Sequence, residues 1–540
     1  MKRIFTLAVC AGALASLTTH AGAQRSLSNP EQITAPQLKA YLTFVASDEM
    51  EGRNTPSRGL DTTALFISTL LTRWGAKPMG DDGTYFQKIS LAQYQLDSAK
   101  TRLDFTGGDF KYGTDYFASV RDASATAPVI WGSDGWLVKS KNKDAYVSVD
   151  PKGKIVLLPF FDGSTPPKGI TRADLGSKQG TDWANPADYA TARGAVGIIY
   201  VIPESMDASF DRLQGGYGSD FLYMEKFKGP VQKGIPVFYV RQKVAAAILK
   251  GGDSSIDSLM ASVAAGKPMA AFDVKSIANV EMVSTPNIVR KRTQNVVASF
   301  EGSDPALKEE YVAFGAHYDH IGMLSNVTSG DYIYNGADDD GSGTVSLISM
   351  AEALSKAKKR PRRSTLFVWH CGEEKGLWGS NYFTTYPTVP LKQIVTQLNI
   401  DMVGRSKLDG DTAPQDRELS GPNEIYVIGS EMMSSQLGAL SKKLNNEYLK
   451  VSFNYRYDDP KDPNGFFFRS DHFNYARHGV PIIFYFDGVH VDYHGLGDEV
   501  SKIDFQKMEK VVRTVYTTMW EISGLTTRPK IDRKLPFAIQ

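Results

Sequence analysis

Near-continuous apolar runs recur in the second half of the chain, at 311–314, 366–369, 394–400, 425–428 and 481–486. Strands covered on both faces need such runs, whereas a strand with one wet face alternates. The stretches between them have helical spacing, for example 344–356. From about residue 293 the chain therefore predicts an α/β fold, with a mixed, mostly parallel central sheet flanked by helices. Upstream, Leu38, Tyr41, Leu42 and Val45, then Ala64, Leu65, Ile67, Leu70 and Leu71, recur at helical spacing within 35–75. The polar turn Ser47-Asp48-Glu49-Met50-Glu51-Gly52-Arg53 separates them. Residues 75–125 predict short strands, with Gly107-Gly108 marking a hairpin.

Residues 126–285 differ again. Short β-type runs (155–158, 197–201) alternate with helical stretches (185–193, 241–250), punctuated by Gly and Pro. This reads as an inserted α/β module. The expected organisation is one discontinuous domain, 24–125 with 286–540, interrupted by an insert at 126–285. A length of 540 residues accommodates both. The first 23 residues read as a secretory signal. Lys2 and Arg3 precede an apolar run too short to span a bilayer, and Ala21-Gly22-Ala23 offers small residues for cleavage. The expectation is an exported chain, periplasmic or secreted, with no membrane span.

Charge narrows the function. Lys and Arg number 61 against 60 Asp and Glu, a net of +1. That balance argues against nucleic acid held by bulk charge. It sets no oligomeric state. Six basic residues at 356–363 follow a predicted helix and read as its solvated end. Of two cysteines, Cys10 falls in the signal, which leaves Cys371 without an intrachain partner.

The chemistry lies where the apolar runs end. His317 follows 311–314, Glu373 and Glu374 follow 366–369, Asp401 follows 394–400, and His490 and His494 follow 481–486. Carboxyl ends of parallel strands share one edge, where ligands bind. A further group is the glycine-rich loop Asn335-Gly336-Ala337-Asp338-Asp339-Asp340-Gly341-Ser342-Gly343. Singly, each residue is an ordinary cap or turn residue. Jointly they form a nitrogen and oxygen donor set suited to Zn, or to Mn or Co.

These segments, with Gly315-Ala316-His317-Tyr318-Asp319-His320, Glu373-Glu374-Lys375-Gly376, Asn399-Ile400-Asp401-Met402, Ser470-Asp471-His472 and His494-Gly495-Leu496-Gly497-Asp498, resemble the M28 zinc peptidases. Ser47 to Arg53 extends the match. The insert resembles a protease-associated domain. The resemblance implies an exopeptidase with two zinc ions per chain and a peptide substrate. Asp338 would bridge the ions, with His317 and Asp401 completing one site and Glu374 and His494 the other. Glu373 would be the general base, and Asp319 would orient His317. A cis peptide would follow the bridging aspartate, at Asp338–Asp339. Where the simplest members carry a tyrosine three residues before Ser-Asp-His, this chain has Phe467. Tyr455, Tyr457 and Arg469 are the candidate oxyanion donors. His370 is expected in the core, His472 in a loop-structuring role, and His320 and His478 at the surface. His490 is the rival of His494, and Cys371 a small buried apolar residue. The leading expectation is an aminopeptidase. A glutamate carboxypeptidase-type enzyme, a glutaminyl cyclase-like single-zinc acyltransferase and a non-catalytic binding protein are the alternatives.

Overall fold

The structure is a computed structural model that describes residues 28–535 except 162–167, 220, 228, 230, 232, 325, 326, 328 and 460. The signal reading for 1–23 lies outside the described residues. Among the described residues, no helix is long and apolar enough to cross a membrane. The chain forms two units, Met1–Ile89 with Arg292–Gln540 and Ser90–Lys291.

The first unit is built on a mixed sheet. Its strands include β1 (Phe86–Leu96) and β2 (Pro286–Phe300), which straddle the unit boundaries at Ser90 and Arg292, β3 (Tyr311–His317), β4 (Ser364–His370), β5 (Ile394–Ile400), β6 (Glu424–Ile428), β7 (Ser452–Asn454) and β8 (Ile482–Phe486). They lie in the order β1-β2-β4-β3-β5-β8-β6-β7. The central β4, β3, β5 and β8 are mutually parallel, while β2 and β6 pair antiparallel to their neighbours β4 and β8. Every residue of β3, β4, β5 and β8 is buried. That is why these segments lack alternation: both faces are covered, and each Leu, Ile, Val or Phe buried there contributes roughly 1.5–3 kcal/mol.

The helices are α1 (Ala35–Val45), α2 (Arg58–Arg73), α3 (Gly343–Ser355), α4 (Trp378–Thr385), α5 (Ser435–Glu447), α6 (His472–Arg477) and α7 (Phe505–Gly524). Helices α1, α3 and α7 pack on one another, and α3 and α7 on β3, while α4 and α6 pack together against β4, β5 and β8. Side chains cap the ends. Ser57 Oγ accepts from the Leu60 N–H at α2, and Asp504 Oδ1 accepts from Gln506 and Lys507 at α7. The basic run 356–363 is not uniformly solvated: Arg363 is buried and pairs with Glu310 at 2.7 Å.

The second unit holds a six-stranded sheet in the order Phe272–Asp273, Val129–Trp131, Ile155–Pro159, Gly197–Val201, Val237–Val240, Tyr116–Ala118. Its four middle strands are parallel and its two edges antiparallel. Beside it, Arg102–Asp104 and Ala123–Ala127 both pair with Val280–Ser284. This pairing corrects two expectations. Residues 90–125 belong with the insert, because their partner strand lies at its far end. Arg102–Asp104 likewise pairs across the unit instead of forming a local hairpin at Gly107.

Candidate metal centre

His317 is the last residue of β3, and Asp401 follows the last residue of β5 directly. The parallel order β4-β3-β5-β8 sets these ends side by side, and the turns after β4 and β8 add Glu373, Glu374 and His494. The loop before α3 enters from the same edge. There Gly336 adopts φ 56°, and a Cβ on it would stand 2.5 Å from the His320 ring, so only glycine lets the loops touch.

The His317 Nδ1 lies 3.1 Å from the Asp319 backbone carbonyl and 3.6 Å from the Asp319 carboxylate. With Nδ1–H donated there, Nε2 presents its lone pair. That atom faces Asp339 Oδ1 at 3.2 Å and Asp401 Oδ1 at 3.6 Å. The other oxygen of Asp339 lies 3.1 Å from His494 Nε2, which is also 3.1 Å from Glu374 Oε2. His320 Nδ1 is 3.0 Å from Glu374 Oε1 and 3.8 Å from Asp339 Oδ2. Two convergent groups result. Ligand-capable atoms of His317, Asp340 and Asp401, and of His320, Asp339 and Glu374, lie within 4.8 Å of one another in each group.

These donors fit a cation. Among the described residues, His317 Nε2, Asp339 Oδ2, Glu374 Oε1 and both His320 nitrogens are buried and make no hydrogen bond of good geometry, only close ligand-type pairs. Lone pairs and carboxylates facing each other in a dry site repel unless a proton or a metal ion lies between them. Without a metal ion, protons would take that place. Burial works against the imidazolium, but the Asp339 and Glu374 carboxylates outweigh it and push His494 up to about 10. Likewise His317 is raised despite its burial, chiefly by Asp401. Burial would lift Asp339, yet His317 and His494 hold it well below the usual carboxylate range.

Asp338 does not face this cluster. Its Oδ1 accepts from the Gly404 N–H at 2.7 Å, and its Oδ2 lies 3.4 Å from His490 Nε2. The carboxylate between the two groups belongs to Asp339, and the cis peptide follows it, at Asp339–Asp340. The backbone sets the register. Asp498 accepts from the Asp338 and Asp339 N–H groups at 3.0–3.1 Å, and Gly404 draws the Asp338 side chain away. Asp340 is held by the N–H groups of Gly343, Met402 and His317.

Glu373 lines a narrow cavity with Asp339, Asp401, Met402, Phe466, Arg469, Ser470, Phe484, Phe486, Val489 and Tyr493. Its own N–H donates to Asp319 Oδ1 at 3.1 Å, so Asp319 ties the His317 turn to the Glu373 turn. Burial raises the Glu373 carboxyl well above its ordinary range, with Asp401 and Glu374 adding to it and His317 opposing. A divalent cation alongside would reverse that shift.

The oxyanion candidates separate. Tyr457 donates to Glu418 at 3.0 Å and packs on Tyr426, and Tyr455 lies under Lys442. Neither lines the cavity; Arg469 does. Tyr493, which sequence reasoning passed over, lines it too. Its ring stacks on His494 at 4.0 Å, and its hydroxyl accepts from Arg469 Nη2 at 3.3 Å. Its place directly before a ligand-type histidine was the available signal. His320 is a second miss, fully buried instead of at the surface. Its signal was the triplet spacing from His317 across one turn. His370 is buried with its Nε2 3.0 Å from the Tyr475 hydroxyl, and burial drives it to about 3. His472 stacks on Phe484, Cys371 is buried, and His478 is exposed.

Residues 295–519 match the model of peptidase family M28. That match falls within the first unit. Among relatives, leucine aminopeptidase 2 of Trichophyton equinum is 25% identical over 297 residues, 50% of this chain and 53% of that one. A probable zinc metalloprotease of Leptosphaeria maculans is 28% identical over 274 residues, 44% of this chain and 59% of that one. The chain thus spans about half the length of the curated relatives it matches. A solved aminopeptidase from Aneurinibacillus sp. strain AM-1 aligns over 95% of this chain and 99% of its own, at 14% identity and a TM-score of 0.45. The M28 match covers β3, β4, β5 and β8, the turns after them and the loop before α3, and so every donor above.

Proposed function

We propose that the protein is a zinc-dependent aminopeptidase with two ions per chain and Glu373 as its general base. The observation that carries this reading is the Asp339 carboxylate, whose two oxygens face two separate donor groups. His317, Asp401 and one Asp339 oxygen would hold one ion, and Glu374, His494 and the other oxygen the second. When bound, the zinc ions supply Lewis acidity toward the scissile carbonyl and acidify a water. The protein does the rest. Glu373 takes a proton from the attacking water on its carboxylate and delivers it to the leaving amine nitrogen. Asp319 holds the His317 tautomer through its carbonyl and the Glu373 turn through its carboxylate. Arg469 and Tyr493 line the cavity, and their N–H and O–H groups would serve as donors to the carbonyl oxygen as it gains negative charge. Met402, Phe466, Phe484, Phe486 and Val489 give that cavity an apolar wall suited to an apolar N-terminal side chain. Relatives named leucine aminopeptidase support the same substrate class.

One observation favours a second reading. The Arg469 guanidinium in the cavity could bind a substrate carboxylate, as a glutamate carboxypeptidase-type enzyme requires. Zinc-loaded protein assayed on aminoacyl anilides and on N-acetylated acidic dipeptides decides between them. Hydrolysis of leucyl anilide supports the aminopeptidase reading, and hydrolysis of only the acetylated dipeptides overturns it. A zinc content near one per chain would favour a glutaminyl cyclase-like acyltransferase instead.

A further inference from the structure

The Ser47–Arg53 turn lies outside the proposed mechanism, yet it holds an unusual buried charge. Arg53 is 0% exposed. Its guanidinium donates to backbone carbonyls: Nε to Tyr318 at 3.0 Å, Nη1 to Val45 and Asn335 at 2.7 Å each, and Nη2 to Gly336 at 2.9 Å. The Arg53 carbonyl in turn accepts from the His320 N–H at 3.2 Å. One residue thus grips both loops that meet at the site. Tyr318 sits between His317 and Asp319, and Asn335-Gly336 leads into Ala337, Asp338 and Asp339. Asn335 adds a parallel tie, donating to the Ala46 carbonyl at 3.0 Å and to Asp48 at 2.8 Å.

The backbone that delivers Arg53 is itself costly. Glu51, Gly52 and Arg53 run consecutively at φ 51°, 62° and 49°. A Cβ on Gly52 would stand 2.2 Å from the Gly322 carbonyl oxygen and 2.6 Å from that of Tyr334. Such conformations persist where the surroundings over-determine them, and they gather at functional sites. Arginine suits the task because its planar fork carries five donors, enough to satisfy carbonyls from three directions. Lysine would keep the charge and lose the span. Around the guanidinium, Asp319, Asp498, Asp340 and Asp339 are the carboxylates whose charge it feels.

We propose that Arg53 is a positioning residue: it clamps the His317–His320 turn against the Asn335–Asp340 loop, so that His317 and Asp339 keep the separation two cations require. This rests on the metal-holding reading above. The test uses the full chain in three variants: Arg53→Lys, Asn335→Ala, and Leu71→Ala as a core-destabilising control away from the loops. Zinc affinity is measured by chelator competition on folded protein, and amide hydrogen exchange is measured on the metal-free form. The expected result is about 10–100-fold weaker zinc binding for Arg53→Lys, with a smaller loss for Asn335→Ala. Faster exchange should be confined to 317–320 and 336–343. Leu71→Ala should lower the melting temperature with wild-type zinc affinity. The proposal is overturned if Arg53→Lys matches wild type in affinity and exchange, or if its affinity loss only equals that of a Leu71→Ala protein of the same melting temperature. Should Arg53→Lys not fold, Asn335→Ala decides on the same two readouts. A wild-type protein that binds no zinc would sink the metal reading instead, and the exchange data would still decide whether Arg53 clamps the loops.

Discussion

The two units each contain four adjacent parallel strands, and each therefore offers one edge of carboxyl ends. In the first unit that edge carries His317, Glu373, Glu374, Asp401 and His494. In the second, the strands Ile155–Pro159, Gly197–Val201 and Val237–Val240 lead into Phe160, Pro203 and Gln242. A cavity of about 590 Å³ lies there, walled by Phe160, Phe161, Met206, Met260 and Val263 among others. The second unit contains no histidine and no cysteine. The same topology thus yields a histidine- and carboxylate-rich centre in one unit and, in the other, a largely apolar hollow with Glu204, Asp257 and Lys168 but no histidine on its wall. Strand order supplies the place, and residue type decides the chemistry.

The sharpest way to break that contrast is to remove the shared carboxylate. Asp339→Asn should cost more hydrolysis than loss of one general base, above roughly 10⁴-fold, and should lower zinc content. Asp338→Asn should keep both ions, because an amide oxygen still accepts from Gly404. Zinc content and aminoacyl anilide turnover of the two variants check this, and the reverse ranking would restore Asp338 as the bridge. Glu373→Gln comes next. It should reduce turnover by about 10²–10⁴-fold with zinc content and melting temperature unchanged, since the proposal gives this residue a proton to move and no ion to hold.

A smaller effect concerns pH in the metal-free protein. His494 titrates near 10 when folded, above the ordinary value of about 6.5. Its pairing with Asp339 and Glu374 therefore stabilises fully below pH 6.5, and that contribution is lost as pH rises toward 10. Melting temperatures of chelated protein should fall across this window, and His494→Ala should flatten that component. Zinc binding requires a neutral imidazole, so affinity should strengthen over the same range. The smallest effect is expected at the other edge. Gln242→Ala in the second unit should leave zinc content unchanged, as measured by metal analysis. A drop in zinc there would mean that the second edge takes part in metal binding.

What could be read from residues alone follows the same division. The apolar runs are long because both faces of β3, β4, β5 and β8 are covered, so strand ends, and the His, Asp and Glu just past them, stand out. Three consecutive aspartates carry no such mark. Which one faces the cluster depends on the N–H groups of Gly404 and Met402 and on the carboxylate of Asp498, all remote in sequence from the three aspartates, with the nearby Gly343 N–H adding a local tie to Asp340. His320 was hidden for a similar reason, since its burial comes from Glu374 and His494 across the site. The unit boundary at Ser90 was hidden by long-range pairing, because Arg102–Asp104 and Ala123–Ala127 find their partner at Val280–Ser284.

The most direct measurement is a crystal structure of zinc-loaded protein with anomalous data collected at the zinc edge. The account predicts two peaks flanking the Asp339 carboxylate, one beside His317 and Asp401 and the other beside Glu374 and His494. A lone peak, or a pair lying across Asp338, would contradict it.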